Sequence, residues 1–495
     1  MDRSEKLLRQ QFNLEQALKH FFGHTSFREG QREIIESILN GHHTLATLPT
    51  GSGKSICYQL PSLLLDGLTV IVSPLISLMV DQVKLLKYKG IKQVAAINSL
   101  LDSNQKKMIM NQLNRYKLIY CSPEMLQQPF FIEQLQNHKV SLFVIDEAHC
   151  ISQWGHEFRP DYLRLKQIIQ RLNEPTVLAL SATATPDIQR DIINQLNIEM
   201  KSLIYPMDRT NITYNVLEVS NDHEKRESLL QLLQNIKVPT MIYFSSRTVS
   251  ENISLYLQEK LENRKIGYYH GGMSQEDRIL IQQQFMQGQL DIICCTSAFG
   301  MGINKDNIRF VIHYHLPSNL ESFIQESGRA GRDGEHSVSL LLYAKGDENI
   351  PFQLIDNELP NDQIIDTYIH AKLRHQLNDL VIEGMTETHE RFLSYQLEQI
   401  NDKVDWEIIS SEIKLIRDQR LDVKKRSIMK IISWVHDQHC RRVNLFKPFQ
   451  KVVRKPVFEC CDQCGFNLSK WKPKEMENKG FSYDWKIILK EMFNK

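Results

Sequence analysis

Six consecutive residues combine the side chains and turn-forming positions needed to bind a polyphosphate. They are Thr50, Gly51, Ser52, Gly53, Lys54 and Ser55. The glycines permit a tight turn that aims several backbone N–H groups at one anion. The spacing is a variant, because Leu48 occupies the position of the usual first glycine. We predict that Lys54 contacts the β- and γ-phosphates of a nucleotide and that Ser55 ligates Mg²⁺. A plain glycine-rich turn between a strand and a helix is the alternative.

Two adjacent carboxylates supply the second half of such a site. Asp146 and Glu147 directly follow an apolar run, 142–145, that is typical of a buried strand. Neighbouring carboxylates repel each other unless a cation lies nearby. We therefore predict that Asp146 holds Mg²⁺ through water and that Glu147 orients and deprotonates the attacking water, as in an ATPase. An apolar strand that runs into an ordinary surface turn is the alternative.

A third stretch, 325–334, places Arg329 and Arg332 among three glycines. Guanidinium groups presented in this way can stabilise the charge that develops on a γ-phosphate in the transition state. We predict that they reach across a cleft, so that hydrolysis depends on closure of the cleft. A polar loop after a helix is the alternative.

Four of the nine cysteines lie close together late in the chain, namely Cys440, Cys460, Cys461 and Cys464. Four thiolates suit a closed, tetrahedral Zn²⁺ site, which stabilises a fold and leaves no open position for catalysis. We therefore predict one structural zinc ion. Cysteines buried in a core are the alternative.

The net charge of +1 gives no hint of a polyanionic partner, but the distribution of charge does. Residues 414–456 carry thirteen Lys or Arg side chains and three acidic ones. Within this stretch Lys414, Arg417, Arg420 and Lys424 recur at helical spacing, which predicts one basic face for the phosphates of a nucleic acid. A solvated helix face is the alternative.

The length of 495 residues suits about three domains. Apolar runs alternate with helical patterns, which predicts an α/β fold of two parallel-sheet domains, 1–207 and 208–344. A mostly helical, zinc-binding region (345–466) and a short basic tail (467–495) follow. The predicted strands cover 69–72, 118–121, 142–145, 177–180, 212–219, 240–244, 266–269, 290–294, 308–312 and 337–343. Neither a signal peptide nor a run of 18 apolar residues is evident in the sequence, so we expect a cytoplasmic protein with no membrane partner.

The order of these motifs resembles the RecQ family of DNA helicases in helicase superfamily two, over about residues 21–464. The stretches that carry the resemblance are 27–31, 50–55, 146–149, 181–183, 270–273, 298–305 and 325–334. The most family-specific stretch is 150–160, similar to the aromatic-rich loop that couples single-strand binding to ATP hydrolysis. Its aromatic side chains can stack on bases.

This resemblance implies two RecA-like domains, ATP as the substrate, and movement on single-stranded DNA from 3′ to 5′. It implies that Gln31, beside Phe27 and Arg28, reads the adenine edge, and that Arg332 ahead of Arg329 is the arginine finger. The residues that would couple ATP to DNA are His149, Trp154, His156, Phe158 and Arg159. The three cysteines 460, 461 and 464 depart from the CxxCxxC spacing of many relatives, although some members share the adjacent pair.

Only 31 residues follow Cys464, so the resemblance is to a short form without the winged-helix and C-terminal accessory domains. We expect a monomer that acts on single-stranded, tailed or forked DNA in recombination, repair or replication restart, close to the nucleoid in a bacterium and assisted by a single-strand-binding protein. Two alternatives stay open. One is a nucleic-acid-binding module whose ATP site regulates grip, and the other is an RNA helicase.

Overall fold

The computed structural model describes residues 13–152, 159–299, 305–373, 382–399 and 405–473. Two parallel β-sheets, each covered by helices on both faces, are followed by a helical region. This is the α/β architecture expected from the alternating pattern, so the predicted fold class of two parallel-sheet domains and a helical region is confirmed.

The first sheet has seven parallel strands in the order β3-β4-β2-β5-β6-β1-β7. Its central strands β2 and β5 are mostly apolar, because both faces of the sheet are buried. The strands are β1 (Thr44–Thr47), β2 (Leu68–Val72), β3 (Val94–Ile97), β4 (Leu118–Cys121), β5 (Val140–Ile145), β6 (Thr176–Ser181) and β7 (Lys201–Ile204). The helices are Leu14–Phe22, Gln31–Leu39, Ile56–Leu64, Ile76–Tyr88, Ser103–Met110, Pro129–Gln136, Pro160–Leu163, Leu165–Arg171 and Pro186–Leu196, with 3₁₀ turns at Leu113–Arg115, Met125–Gln127 and Ala148–Ile151.

The second sheet has six parallel strands in the order β10-β11-β9-β12-β13-β8. The strands are β8 (Ile212–Val219), β9 (Thr240–Tyr243), β10 (Ile266–Tyr269), β11 (Ile292–Cys295), β12 (Phe310–His313) and β13 (Ser337–Ala344). The helices are Asp222–Asn235, Arg247–Lys260, Gln275–Met286 and Leu320–Ser327. Strands β3 and β7 of the first sheet were not predicted. Both are edge strands of the sheet, and the side chains of β7 are largely exposed, so β7 lacks the apolar run of a buried strand.

The helical region divides its packing between two cores. Its helices are Asn349–Asp356, Asp362–Leu373, Glu387–Gln399, Trp406–His436 and Arg441–Phe446, with 3₁₀ turns at Asp462–Cys464 and Leu468–Lys470. The early helices form a small core of their own. The end of the long helix, with Trp434, and the cysteine segment pack into the core of the second sheet. Trp471, which we assigned to a separate tail, is buried against the other face of that sheet.

The basic face predicted on the long helix Trp406–His436 is not free for nucleic acid. Three of its four residues form ion pairs within the protein, with acidic side chains between residues 358 and 366. The pairs are Lys414 Nζ with Asp366 at 2.8 Å, Arg417 Nη2 with Asp362 at 2.6 Å and Lys424 Nζ with Glu358 at 2.7 Å. Burial lowers the pKa of the fourth, Arg420, to about 10, and the Glu358 carboxylate opposes this shift. The prediction failed because helical spacing fixes which residues share a face but not what that face contacts.

No helix among the described residues is long and apolar enough to cross a membrane.

Candidate nucleotide-binding cleft

The phosphate loop lies between the end of β1 and the helix Ile56–Leu64, at the carboxyl edge of the first sheet. Parallel sheets of this kind bind ligands at that edge. Gly51 and Gly53 have φ values of 79° and 78°, a backbone conformation that residues other than glycine rarely adopt. The turn predicted from the two glycines is therefore present, and it leads directly into a helix N-terminus, where an anion is favoured.

Asp146 and Glu147 follow β5 and face the phosphate loop. The Asp146 amide donates to Val72 O at 2.9 Å, which holds the turn against the neighbouring strand. Glu147 has a φ of 50°, an uncommon conformation for a residue with a side chain. This backbone turn brings Glu147 Oε1 to 3.9 Å from Lys54 Nζ. Lysine and carboxylates therefore converge on one point, as predicted from two stretches far apart in sequence.

The electrostatics of this acidic pair favour a bound cation. Burial, followed by the charge of Glu147, raises the pKa of Asp146 to about 7, and Lys54 opposes the shift. Among the described residues, Glu147 Oε2 is buried without a hydrogen-bond partner. Carboxylate oxygens are the ligands that Mg²⁺ prefers, so these residues fit the ion expected here.

The segment before the first sheet supports the loop from outside. Arg28 Nη1 donates to Gly51 O at 2.6 Å. Gln31 Nε2 donates to Ser52 O at 2.8 Å and to Gly53 O at 3.1 Å, while its Oε1 accepts from the Arg28 amide. Gln31 thus braces the loop as well as lining the cleft. Phe27 packs on the first domain's core, with the Arg32 guanidinium 5.9 Å from its ring centre.

Both predicted arginines of the second domain line the same cleft, which has a volume of about 410 Å³. The Arg332 side chain lies over the phosphate loop, since a Cβ added at Gly51 would be 2.9 Å from Arg332 Cγ. Burial, and then the cations Arg329 and Arg209, lower the pKa of Arg332 to about 9. Arg329 and Arg332, the two guanidinium groups that line the cleft, favour a polyanionic ligand between the domains.

Two residues at this boundary were missed by sequence reasoning. Arg209 donates from Nη1 to Thr50 O at 3.1 Å, and Asp306 lines the cleft beside Arg332. The only signal for Arg209 was its position at the predicted boundary between the sheet domains, next to Asp208. Asp306 follows the family-like stretch 298–305, of which 300–304 lie outside the described residues.

His149 connects the carboxylates to the next strand. It is fully buried, with Nδ1 at 3.1 Å from Ser181 Oγ and 3.5 Å from Glu147 Oε2. Ser181 Oγ in turn accepts from the Thr183 amide at 3.3 Å. A polar chain therefore runs from the acidic pair to the 181–183 stretch.

The aromatic-rich loop begins and ends beside this chain. Trp154, His156 and Phe158 lie outside the described residues. The flanking residues are anchored: Ser152 Oγ donates to Asp191 at 2.6 Å, and the Arg159 amide donates to Cys150 O at 3.1 Å. Arg159 Nη1 lies 4.0 Å from Glu124 Oε1.

The four predicted zinc ligands come together. The Sγ atoms of Cys440, Cys460, Cys461 and Cys464 all lie within 4.8 Å of one another. Those of Cys440 and Cys460 are 3.5 Å apart, close to the separation of about 3.8 Å that a tetrahedral site with 2.3 Å Zn–S bonds requires. The adjacent cysteines 460 and 461 both face this point, so the departure from CxxCxxC spacing is compatible with one ion. The backbone of Cys460 also accepts a bond from the Tyr214 amide of β8 at 3.2 Å.

Comparisons with known proteins agree with this geometry. Residues 28–192 match the DEAD/DEAH box helicase family, and residues 224–334 match the helicase conserved C-terminal domain. The structure of the helicase Lhr of Mycobacterium smegmatis, bound to single-stranded DNA and AMP-PNP, has a TM-score of 0.58 at 19% identity, over 86% of this chain and 58% of that one. The structure of Saccharomyces cerevisiae Dbp5 bound to RNA and ADP BeF3 has a TM-score of 0.57 at 16% identity, over 81% of this chain and 97% of that one. At such identities these structures establish the fold alone.

Two relatives from Bacillus subtilis are more similar in sequence. The probable ATP-dependent DNA helicase RecS is 42% identical over 97% of this chain and 98% of its own length. The ATP-dependent DNA helicase RecQ is 42% identical over 68% of this chain, but this chain spans only 57% of that protein. Together with the two-domain cleft, these matches show that the chain belongs to the RecQ family of superfamily two ATP-dependent DNA helicases.

Proposed function

We propose that this protein hydrolyses ATP to move along single-stranded DNA from 3′ to 5′ and so separates duplex strands. The observation that carries the proposal is the position of Arg332, which belongs to the second sheet domain and lies over Gly51 of the first. Because the catalytic groups come from two domains, hydrolysis requires the domains to approach each other. A cycle of approach and release can be converted into steps along a strand.

Each residue of the cleft has a proposed part in hydrolysis. Lys54 and the loop amides hold the β- and γ-phosphates, with Ser55 and Asp146 as the groups that would hold Mg²⁺. The ion would neutralise charge on the phosphates. Glu147 orients the attacking water and accepts its proton, helped by the position that its turn imposes. Arg332 and Arg329 stabilise charge on the transferred group, with Arg332 as the finger.

The remaining ATP-site residues position these groups. Arg28 and Gln31 fix the carbonyls of the phosphate loop, which keeps its amides directed at the anion. Recognition of the adenine edge by Gln31 stays a prediction from the resemblance, with Phe27 and Arg28 as its neighbours.

Coupling to DNA is proposed to run through His149. Its contacts reach Glu147 on one side and Ser181 on the other, and it precedes the loop that contains Trp154, His156, Phe158 and Arg159. We propose that bases stack on the loop's aromatic side chains and that Arg159 meets a phosphate. Binding of a DNA strand to the loop would then change the position of the Glu147 carboxylate, which activates water.

The cysteine site is proposed to hold Zn²⁺ as a structural ion. Its thiolates come from the helical region and sit against β8, so the ion would fasten that region to the second sheet domain. We keep 1–207, 208–344 and 345–466 as the proposed domain bounds, with Trp471 added to the packing of the second domain.

DNA is the proposed substrate because the relatives RecS and RecQ are named as ATP-dependent DNA helicases. RNA remains the competing substrate because the sequence leaves an RNA helicase open. We further propose that the protein is a monomer and prefers 3′-tailed and forked duplexes, assisted by a single-strand-binding protein. We also propose that it acts beside the nucleoid in a bacterial cytoplasm, in recombination, repair or replication restart.

The test is the rate of ATP hydrolysis with single-stranded DNA, with RNA and without nucleic acid, together with strand separation on 3′-tailed and 5′-tailed duplexes. We expect stimulation by DNA and separation of the 3′-tailed duplex alone. Lys54→Ala should abolish hydrolysis and retain DNA binding, because the loop is distinct from the proposed strand-binding loop. DNA binding without stimulated hydrolysis would favour the regulated binding module, and stimulation by RNA alone would favour an RNA helicase.

A further inference from the structure

The connection between the two sheet domains contacts all three parts of the protein. It runs from the end of β7 at residue 204 to the start of β8 at residue 212. Of two neighbouring residues in it, Asp208 is fully buried and Arg209 is half-buried, although connections of this kind are usually solvated. Their side chains point to different partners.

Arg209 bridges the two halves of the nucleotide cleft. Its Nη1 donates to Thr50 O of the phosphate loop at 3.1 Å and to Gly328 O of the arginine-bearing turn at 3.3 Å. Its Nη2 bonds Gly331 O in the same turn. One planar guanidinium group therefore holds both sides of the boundary in a fixed relation, which a flexible single-point donor such as lysine cannot reproduce.

The zinc-binding region holds the connection from the opposite side. Arg454 donates to Asp208 Oδ1 from Nε at 3.0 Å and to Asp208 Oδ2 from its amide at 2.9 Å. Gln450 Nε2 also donates to Asp208 Oδ1, at 2.8 Å. Arg442, itself buried, donates to the carbonyl of Arg209 at 2.9 Å. The backbone on both sides of the Arg209 Cα atom is thus tied to that region.

Displacing Arg209 would remove its hydrogen bonds to Thr50 O and Gly328 O, whereas Gly331 O would still accept from Asn211 Nδ2 at 2.8 Å. Buried carbonyl groups are costly when unpaired, and hydrogen bonds to a charged donor are among the stronger ones.

Because its partners belong to both domains, we expect the Arg209 bridge to form when the two domains approach and to break when they separate. Its formation depends on the hydrogen bonds that Arg454 and Gln450 make to Asp208. These bonds fix the backbone from which the Arg209 side chain extends.

We propose that Arg209 is a positioning residue that joins the phosphate loop to the arginine turn in the closed cleft, and that the zinc-binding region sets its position through Arg454 and Asp208. This rests on the proposed ATPase function and adds to it a route by which the zinc-binding region acts on hydrolysis. Arg209 contacts loop carbonyl groups and is not among the described residues that line the cleft, so its effect should fall on turnover and not on nucleotide affinity.

The experiment compares Arg209→Gln with Arg264→Gln in the full-length protein. Arg264 is a matched control, because it too is half-buried and donates to backbone carbonyls, of Ile236 at 3.3 Å and Val238 at 3.0 Å, but within one domain. We measure kcat and the KM for ATP with saturating single-stranded DNA, melting temperature, and small-angle X-ray scattering without nucleotide. Arg209→Gln should lower kcat by about 10- to 100-fold with KM changed by less than about threefold, since it removes hydrogen bonds from a charged group.

Two further variants separate positioning from stability. Arg209→Lys should keep a cation but restore only part of kcat, because it lacks the fork. Arg454→Gln should also lower kcat, by about tenfold, although Arg454 does not line the cleft. Because Arg454 Nη1 also pairs with Glu29 Oε2 at 2.9 Å, Glu29→Gln is the control for loss of that pair. In scattering, the Arg209→Gln protein should be more extended than the Arg264→Gln protein. If Arg209→Gln does not fold, Arg209→Lys is measured in its place.

The proposal would be overturned by a kcat for Arg209→Gln within about twofold of that of Arg264→Gln, by parallel losses of kcat and melting temperature in the two variants, or by identical scattering profiles. Absence of DNA-stimulated hydrolysis in the unmodified protein would overturn the proposed function instead, and the scattering comparison would still test the Arg209 bridge.

Discussion

Replacing Gly328 with alanine should block closure of the cleft. Gly328 follows the helix Leu320–Ser327 with φ −64° and ψ −2°, which alanine adopts readily. Its lack of a side chain is needed for another reason. A Cβ built there would overlap Oγ1 of Thr50 in the phosphate loop and lie 3.1 Å from the Thr50 Cβ. It would also lie 2.9 Å from the carbonyl oxygen of Ile324 in the preceding helix, so the melting temperature must be measured beside kcat.

The size of the effect follows from this contact. Carbon atoms pack best at about 3.5–4.0 Å, so the loop and the arginine turn must separate by roughly 0.5–1 Å even after the Thr50 hydroxyl rotates away. A displacement of about 1 Å in a catalytic arrangement can lower the rate by about 100-fold, equivalent to about 2.7 kcal/mol in the barrier. ATP affinity should change little, because Lys54 and the loop amides stay within the first domain.

The assay is DNA-stimulated ATP hydrolysis with separate determination of kcat and of nucleotide affinity by fluorescence. Gly271→Ala controls for the general effect of replacing glycine on melting temperature, because a Cβ there would meet nothing closer than 4.0 Å. An unchanged kcat for Gly328→Ala, at an unchanged melting temperature, would refute the reasoning that the domains must approach this closely.

Further outcomes can be stated for four other positions. Glu147→Gln should bind ATP but hydrolyse it at least about 100-fold more slowly in single turnover, because the amide accepts no proton, and normal hydrolysis would remove the residue from that role. Elemental analysis should find one Zn²⁺ per chain, and Cys440→Ser should reduce the soluble yield and the melting temperature; a metal-free, stable protein would end the zinc assignment. Lys225→Ala should lower the free energy of unfolding by about 3–5 kcal/mol in denaturant titrations, because it leaves the Asp347 carboxylate without its buried partner. A loss below about 1 kcal/mol would show that water reaches the site. Trp154→Ala should reduce the stimulation of hydrolysis by DNA more than it reduces DNA affinity, whereas equal losses would make the loop a simple contact surface.

Local sequence was sufficient to predict the phosphate loop, the acidic pair and the cysteine cluster, because each depends mainly on residues close together in the chain. The two glycines before Lys54 permit a turn with positive φ after the strand β1, and the structure has that turn. Asp146 and Glu147 follow the apolar strand β5 directly, so their place at the carboxyl edge of a parallel sheet could be predicted from strand and helix alternation. The cysteine cluster was also evident from composition, although its closeness to β8 was not.

The tertiary structure alone decided which charged groups face each other across the chain. Lys414, Arg417 and Lys424 share a helix face as their spacing predicts, yet that face pairs with acidic side chains some 50 to 70 residues earlier. Arg209 had no motif to distinguish it, but folding brings it against carbonyls more than 100 residues away on each side. Periodicity encodes the direction in which a side chain points from its own element. What it meets there depends on how the elements pack, because ion pairs and hydrogen bonds between distant segments leave no regular spacing in the sequence.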